Sequence, residues 1–161
     1  MIIFINGTIS SGKSTVAKLI KNAIPNTAIL EIDVLRNLID WIPLNEAIPI
    51  NLENVVSLIK NFINRNLNVV VPYPLSQKNY DYLIKELNGV STEIYSFTLN
   101  PDSKELIKSK RGRNLDSWEK ERIDYHTRIG LTNPSFGKII DNTNQTPEET
   151  VDIILKSLNK K

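Results

Sequence analysis

Gly7, Gly12, Lys13 and Ser14 stand at the spacing G-x-x-x-x-G-K-[ST], with Thr8, Ile9, Ser10 and Ser11 between the two glycines. Each residue type in that pattern has a task in holding a polyphosphate. Gly7 allows the chain to turn out of a strand, and Gly12 permits backbone geometry that a Cβ would obstruct. The amides of the intervening residues, Thr8, Ser10 and Ser11 among them, can then converge on phosphate oxygens at the N-terminus of the following helix. Lys13 is expected to reach the β- and γ-phosphates of a nucleoside triphosphate, Ser14 to offer its hydroxyl to Mg²⁺, and Thr15 to support the α-phosphate end. The alternative is a glycine-rich turn arising by chance. Against it, the motif lies between an apolar strand, Ile2 to Asn6, and a helical pattern, Ser14 to Ala23, as its chemistry requires.

A second group of candidates follows the second apolar run. Thr27 to Ile32 reads as a strand that delivers Asp33 to its C-terminal end, and open α/β sheets bind their ligands outside that edge. Asp33 can there accept a proton from a substrate hydroxyl and help to place Mg²⁺. Arg36, one helical turn on, can hold an anionic or polar part of the substrate. The plainer reading makes Asp33 a helix N-cap and Arg36 a solvated charge. Glu31 alternates away from Asp33 and carries less weight. The third strand ends Val69-Val70-Val71-Pro72-Tyr73-Pro74, without the acidic residue that many phosphate-loop enzymes place there. That leaves Asp33 to supply a carboxylate, and leaves Tyr73 either to contact substrate or to pack.

Four of the six arginines fall at Arg111, Arg113, Arg122 and Arg128. Gly112 lets the Arg111–Arg113 segment bend, and movable arginines can neutralise the charge of a transferring phosphoryl group. Arg111 and Arg113 are therefore candidates for phosphate contact, with Arg122 a further candidate on the substrate side. A solvated basic helix end, favoured by the helix dipole, is the alternative. Trp118 is expected to pack its helix rather than stack on a base. His126, the sole histidine, is expected to lie outside the chemistry because no partner for it is visible. Asp141-Asn142-Thr143 reads equally as an adenine-side loop or an ordinary turn.

These residues need elements to position them. Leu52 to Phe62 is an amphipathic helix, with apolar residues at spacings of three and four, and Trp41 to Pro49 reads as an irregular connection before it. Leu67 to Val71 and Thr92 to Leu99 read as strands, with Gln77 to Leu87 a helix between them. Asp102 to Lys110, Trp118 to Arg128 and Pro147 to Leu158 read as further helices, and Lys138 to Ile140 as a fifth strand. Short apolar strands alternating with helices predict a parallel sheet covered on both faces, a three-layer α/β/α domain with five strands.

Composition narrows the classes. A chain of 161 residues fits one domain, and a formal charge of +2 is too small to argue for nucleic acid or an anionic membrane surface. No cysteine is present and only one histidine, which excludes disulfides, thiolate catalysis and histidine-rich metal sites. No 18-residue apolar stretch occurs.

The Gly7–Thr15 loop, Asp33 after the second strand and the arginine-bearing segment before the last strand together resemble a known group. It is the P-loop small-molecule kinases, typified by the nucleoside monophosphate, shikimate and gluconate kinases. Met1–Thr15, Val70–Pro74, and Phe97-Thr98-Leu99 leading to Arg111, Arg113, Ser117-Trp118 and Ile123-Asp124 look most like the tunicamycin-resistance ATP-binding proteins. Chloramphenicol phosphotransferase is a more distant likeness. The resemblance implies a P-loop NTPase sheet of order 2-3-1-4-5, and a single domain spanning residues 1–161 with a small lid around 110–118. It also implies Mg²⁺-ATP as phosphoryl donor and a cytoplasmic enzyme. It matches Lys13 and Ser14 to the nucleotide site, Asp33 to the catalytic or metal-associated carboxylate, and Arg111 and Arg113 to the lid arginines. The Gly-Gly-Gly loop of shikimate kinases and the Asp-Gly-Phe-Pro stretch of adenylate kinases are missing, which favours an antibiotic-like or other small-molecule acceptor. ATP-dependent phosphorylation of a small-molecule hydroxyl, by a monomer or a dimer, is the leading expectation. A nucleotide-dependent ligand-binding or resistance protein without efficient transfer and a nucleic-acid end kinase are the alternatives.

Overall fold

The computed structural model of the chain describes residues 1–39, 42–107 and 114–158. Trp41, Lys110, Arg111, Gly112 and Arg113 lie outside the described residues, so the expectations placed on them are not addressed by the fold.

Five parallel strands form one sheet in the order β2-β3-β1-β4-β5. They are β1 (Ile2–Gly7), β2 (Thr27–Ile29), β3 (Asn68–Pro72), β4 (Ile94–Leu99) and β5 (Lys138–Ile140). This is the expected strand count and order. β1 is central, pairing with β3 through Ile2↔Val69 and with β4 from Ile2↔Ile94 to Gly7↔Leu99. All six of its residues are buried, which explains why it reads as a continuous apolar run rather than an alternation.

The alternation is still present in what each face meets. Ile2 and Phe4 join one apolar cluster with Leu52, Val55 and Ile59 of α3 (Leu44–Ile63) and Leu83 of α4 (Gln77–Glu86). Ile3 and Ile5 join the other, with Val16 and Ile20 of α1 (Lys13–Ala23) and Val151 and Ile154 of α7 (Pro147–Leu158). Helices therefore cover both faces of the sheet in three layers. The remaining helices are α2 (Ile32–Arg36), α5 (Ser103–Ile107) and α6 (Ser117–Arg128). Among the described residues no helix is long and apolar enough to cross a membrane.

Two local expectations are corrected. β2 ends at Ile29, and Ile32 and Asp33 belong to α2. The stretch before Leu52 is helical from Leu44, passing through Pro49. Pro43 occupies the N-cap position with φ −55°. Pro49 forfeits one backbone bond, yet the buried stripe of Ala47, Asn51, Leu52, Val55 and Ile59 holds the helix together through tertiary packing.

Candidate functional site

The phosphate loop leaves the C-terminal end of the central strand and enters α1. Gly7 has φ 142°, Ser10 φ 59° and Gly12, the residue before the helix, φ 100°. Gly7 is required for more than the turn. A Cβ there would lie 2.6 Å from the Leu99 carbonyl oxygen, since these two residues are paired across β1 and β4.

The loop is held from three directions. Within it, the Thr8 carbonyl accepts the Lys13 ammonium at 2.7 Å and the Ser11 amide at 3.3 Å. From the β5–α7 connection, buried Asn142 donates its amide to the Ser11 carbonyl at 3.0 Å. From α6, His126 Nδ1 lies 3.0 Å from the Thr8 hydroxyl, with both side chains buried. One position earlier, fully buried Asn6 is a junction. It donates to the Thr98 hydroxyl and the Leu131 carbonyl, each at 3.1 Å, and accepts the Leu75 amide at 2.8 Å. Asn6 thereby ties β1 to β4 and to the loops that follow β3 and α6.

A cleft of about 530 Å³ opens outside this loop, lined by Ser10, Gly12, Lys13, Ser14, Thr15 and Val16 on one side and Asn142, Gln145, Pro147 and Thr150 on the other. The Ser10 hydroxyl oxygen is buried with no hydrogen-bond partner among the described residues. Such an atom costs free energy unless a ligand or water satisfies it, and it fits the oxygen-rich phosphates that the loop amides can also bind. Burial lowers the Lys13 ammonium to a pKa of about 8, opposed by the Asp33 carboxylate. Lys13 is therefore held as a partly desolvated cation facing Asp33, an arrangement that an incoming polyanion relieves.

Electrostatics link Lys13 to α2, and the β3 exit to both α2 and α6. Glu31 occupies the N-cap position of α2 and makes no side-chain cap bond, while Asp33 lies in the helix's first turn. The N-cap reading of Asp33 is thus corrected: its carboxylate is exposed in the first turn, where the helix dipole favours it. Buried Tyr73 has its phenol pKa raised by desolvation first and by Asp33 second, while Arg122 and Arg36 act in the opposite direction. Lys13, Asp33, Arg36, Tyr73 and Arg122 are therefore within one electrostatic environment, although they come from four separate elements. Arg122 stacks over the Tyr125 ring at 4.8 Å. The structure places Thr8, Ser10, Ser11, Gly12, Ser14 and Thr15 on the loop and at the start of α1, as expected. Among the described residues no group of three or more histidines, aspartates or glutamates could hold a metal ion. Ser14 at the start of α1 and Asp33 in the first turn of α2 are oxygen donors that could serve a divalent ion keeping waters and phosphate oxygens as its other ligands.

One expectation fails here, and so does the ground given for another, because neighbours in space cannot be read from neighbours in sequence. Trp118 does not pack its helix: it is 61% exposed, beside Arg122 and Tyr125. His126 does have a partner, and it is in the phosphate loop. Desolvation first, then Arg122 and Lys13, lower the His126 pKa to about 4. Its ring is thus neutral in the fold at pH 5 to 7, whereas in the unfolded chain it gains a proton below about pH 6.5. This contribution to stability is complete above pH 6.5 and is lost as pH falls toward 4. Relative to a His126→Asn variant, the protein should lose roughly 3 kcal/mol of unfolding free energy over that window. Urea denaturation of both proteins at pH 7, 5.5 and 4 measures the difference, and parallel pH profiles would refute the shift.

No family model matches the chain, and no curated protein sequence matches it. Solved structures match nearly all of it. A sugar kinase from Janibacter sp. superposes with a TM-score of 0.73 at 16% identity, covering 98% of this chain and 94% of its own. A tunicamycin resistance protein from Deinococcus radiodurans gives 0.64 at 18%, covering 99% and 96%. The APS kinase of Mycobacterium tuberculosis, in complex with AMPPNP and APS, gives 0.68 at 18%, covering 99% and 97%. At such identities what is shared is the fold, and it is the fold of the P-loop small-molecule kinases.

Proposed function

We propose that the chain transfers the terminal phosphoryl group of Mg²⁺-ATP to a hydroxyl of a small molecule, a metabolite or an antibiotic-like compound. The observation that carries this reading is the electrostatic pairing of a desolvated Lys13 ammonium on the phosphate loop with the exposed Asp33 carboxylate in the first turn of α2. The triphosphate would lie along the loop amides with its nucleoside end toward Asn142 and Gln145, and Lys13 would bind the β- and γ-phosphates. Mg²⁺, held by Ser14 with assistance from Asp33, would neutralise charge on the phosphates. Asp33 would take the proton of the acceptor hydroxyl as that oxygen bonds to the γ-phosphorus and the bond to the ADP oxygen breaks.

Arg36, Tyr73 and Arg122 would hold the acceptor, and Arg111 and Arg113 would neutralise charge on the transferring group. An enzyme of this kind, dependent on Mg²⁺-ATP, belongs in the cytoplasm, with no nucleic-acid or membrane partner.

The test is to incubate the protein with Mg²⁺-ATP and a panel of hydroxylated metabolites and nucleoside antibiotics, and to measure ADP release and product mass. ADP release stimulated by one compound, with an added phosphate on that compound, is the expected result. Tight ATP binding with no phosphorylated product would favour a ligand-binding role. Transfer confined to a 5′-hydroxyl oligonucleotide would favour a nucleic-acid end kinase.

A further inference from the structure

α6 carries Arg122 into the site, yet little of it is buried. Of its twelve residues only Glu119, Ile123 and His126 are buried, so a single isoleucine supplies its fully enclosed apolar contact. What registers the C-terminal half against the sheet is polar. His126 meets the Thr8 hydroxyl at 3.0 Å, the His126 carbonyl accepts the Leu131 amide at 3.0 Å, and the Leu131 carbonyl accepts from Asn6 at 3.1 Å. The Thr8–His126 bond joins side chains that are 2% and 3% exposed, so water competes poorly for either partner.

Thr8 is engaged twice. Its hydroxyl meets α6, and its carbonyl takes the Lys13 ammonium at 2.7 Å. Arg122 lies four residues before His126, on the same helix face. Among the described residues the charged groups acting on the ring are Arg122 from its own helix and Lys13 from α1, with no acid opposing them. A bond of this kind fixes both the rotation and the height of a helix, which one apolar contact does not.

Resting on the kinase reading above, we propose that His126 is a positioning residue. Through Thr8 it holds α6 in register with the phosphate loop, and so sets where Arg122 stands relative to Lys13. The residue has no need to exchange a proton in the reaction. Its effect is on the geometry of two cations that flank the transferring group, where misplacement on the order of 1 Å can cost up to about 10²-fold in rate.

Because His126 is the only histidine, its ring ¹⁵N signals in the full chain need no assignment. In the free protein they should show one dominant tautomer, which Thr8→Val should convert to a mixture. Saturating Mg²⁺-ATP should raise the ring's titration midpoint by about half a unit or more, as phosphate charge offsets Lys13.

The kinetic arm uses water as acceptor, measuring ATP hydrolysis at saturating Mg²⁺-ATP. His126→Leu should lower the rate about 10-fold with a change in KM of no more than about 3-fold, and His126→Asn, which keeps a polar atom near Nδ1, should restore most of it. Arg122→Ala should slow the wild-type protein but add little to His126→Leu, the non-additivity expected of residues that act as a unit. If His126→Leu fails to fold, Thr8→Val cuts the same bond from the loop side and should reproduce the non-additivity with Arg122→Ala.

Equal fold-losses for Arg122→Ala in both backgrounds, or a ring that titrates near 6.5 and ignores Thr8→Val, would overturn the proposal. Failure of the wild-type protein to bind Mg²⁺-ATP would overturn the kinase reading as well. The ring spectrum of the free protein would then show the Thr8–His126 bond to be structural only.

Discussion

Lys13→Ala should abolish phosphoryl transfer, by roughly 10³-fold or more, equivalent to about 4 kcal/mol of transition-state stabilisation, while leaving the protein folded. Among the described residues the side chain's one hydrogen bond is to the Thr8 carbonyl, which also accepts the Ser11 amide and so retains a partner. The lowered pKa, to about 8, shows that the fold holds this ammonium against a desolvation cost rather than gaining from it. Thermal unfolding of the variant should therefore occur at or above the wild-type temperature, even as triphosphate affinity falls sharply.

A pH series sharpens the test. In the free protein Lys13 loses its proton as pH rises through about 8, so ATP affinity should fall over that range in the wild type and stay flat in the variant. Calorimetric titration with a non-hydrolysable ATP analogue at pH 7 and 9 reads both effects. Unchanged affinity and unchanged turnover in Lys13→Ala would refute the phosphate-loop assignment.

Asp33→Asn should lower acceptor phosphorylation by about 10²-fold or more, the scale of a lost general base, with ATP affinity near neutral pH changed much less. Asparagine matches the carboxylate in shape but has neither charge nor useful basicity. Because Asp33 does not cap α2, folding should lose only this exposed carboxylate's interactions with the helix dipole and with the Lys13 ammonium, together on the order of 1 kcal/mol or less.

The same substitution has a second signature. Asp33 acts to raise the Lys13 pKa, so its removal should move the alkaline fall in ATP affinity to lower pH. Single-turnover transfer with a confirmed acceptor, together with the affinity-versus-pH curve, tests both consequences. Wild-type transfer accompanied by an unmoved curve would show that Asp33 belongs to neither the chemistry nor the electrostatics of the site.

The difference between Asp33 and His126 shows what could be read in advance. Asp33 lies four residues after the end of β2 and precedes Arg36 by three, so its place beyond the strand's C-terminal end follows from the local order of elements, even though the strand proved shorter than expected. His126 gave no such indication, because the residue it meets is 118 positions away. The Asn6–Leu131 and Asn142–Ser11 bonds span 125 and 131 positions; Asn6 belongs to no motif, and Asn142 stands out only in a stretch that reads equally as an ordinary turn. The only advance signal was indirect: a lone histidine four residues after an arginine, on a helix with few apolar residues, needed some polar partner if buried. Trp118 misled for the converse reason, since bulk suggests packing, yet the side chain stands exposed at its helix end.

The amino-acid sequence by itself determined the strand–loop–helix of the phosphate site, the parallel sheet and the covering helices. Those features depend on periodicity and on residues a few positions apart, where spacing alone decides which groups share a face or a turn. The tertiary structure alone decided which side chains brace that site. It placed Asn6, His126 and Asn142 around the loop, carried α3 through Pro49, and brought Tyr73 and Arg122 into the field of Asp33 and Lys13. Those outcomes depend on strand order and helix placement, which bring distant segments to one edge of the sheet. A buried hydrogen bond or charge takes its partner from that edge, whatever its distance along the chain.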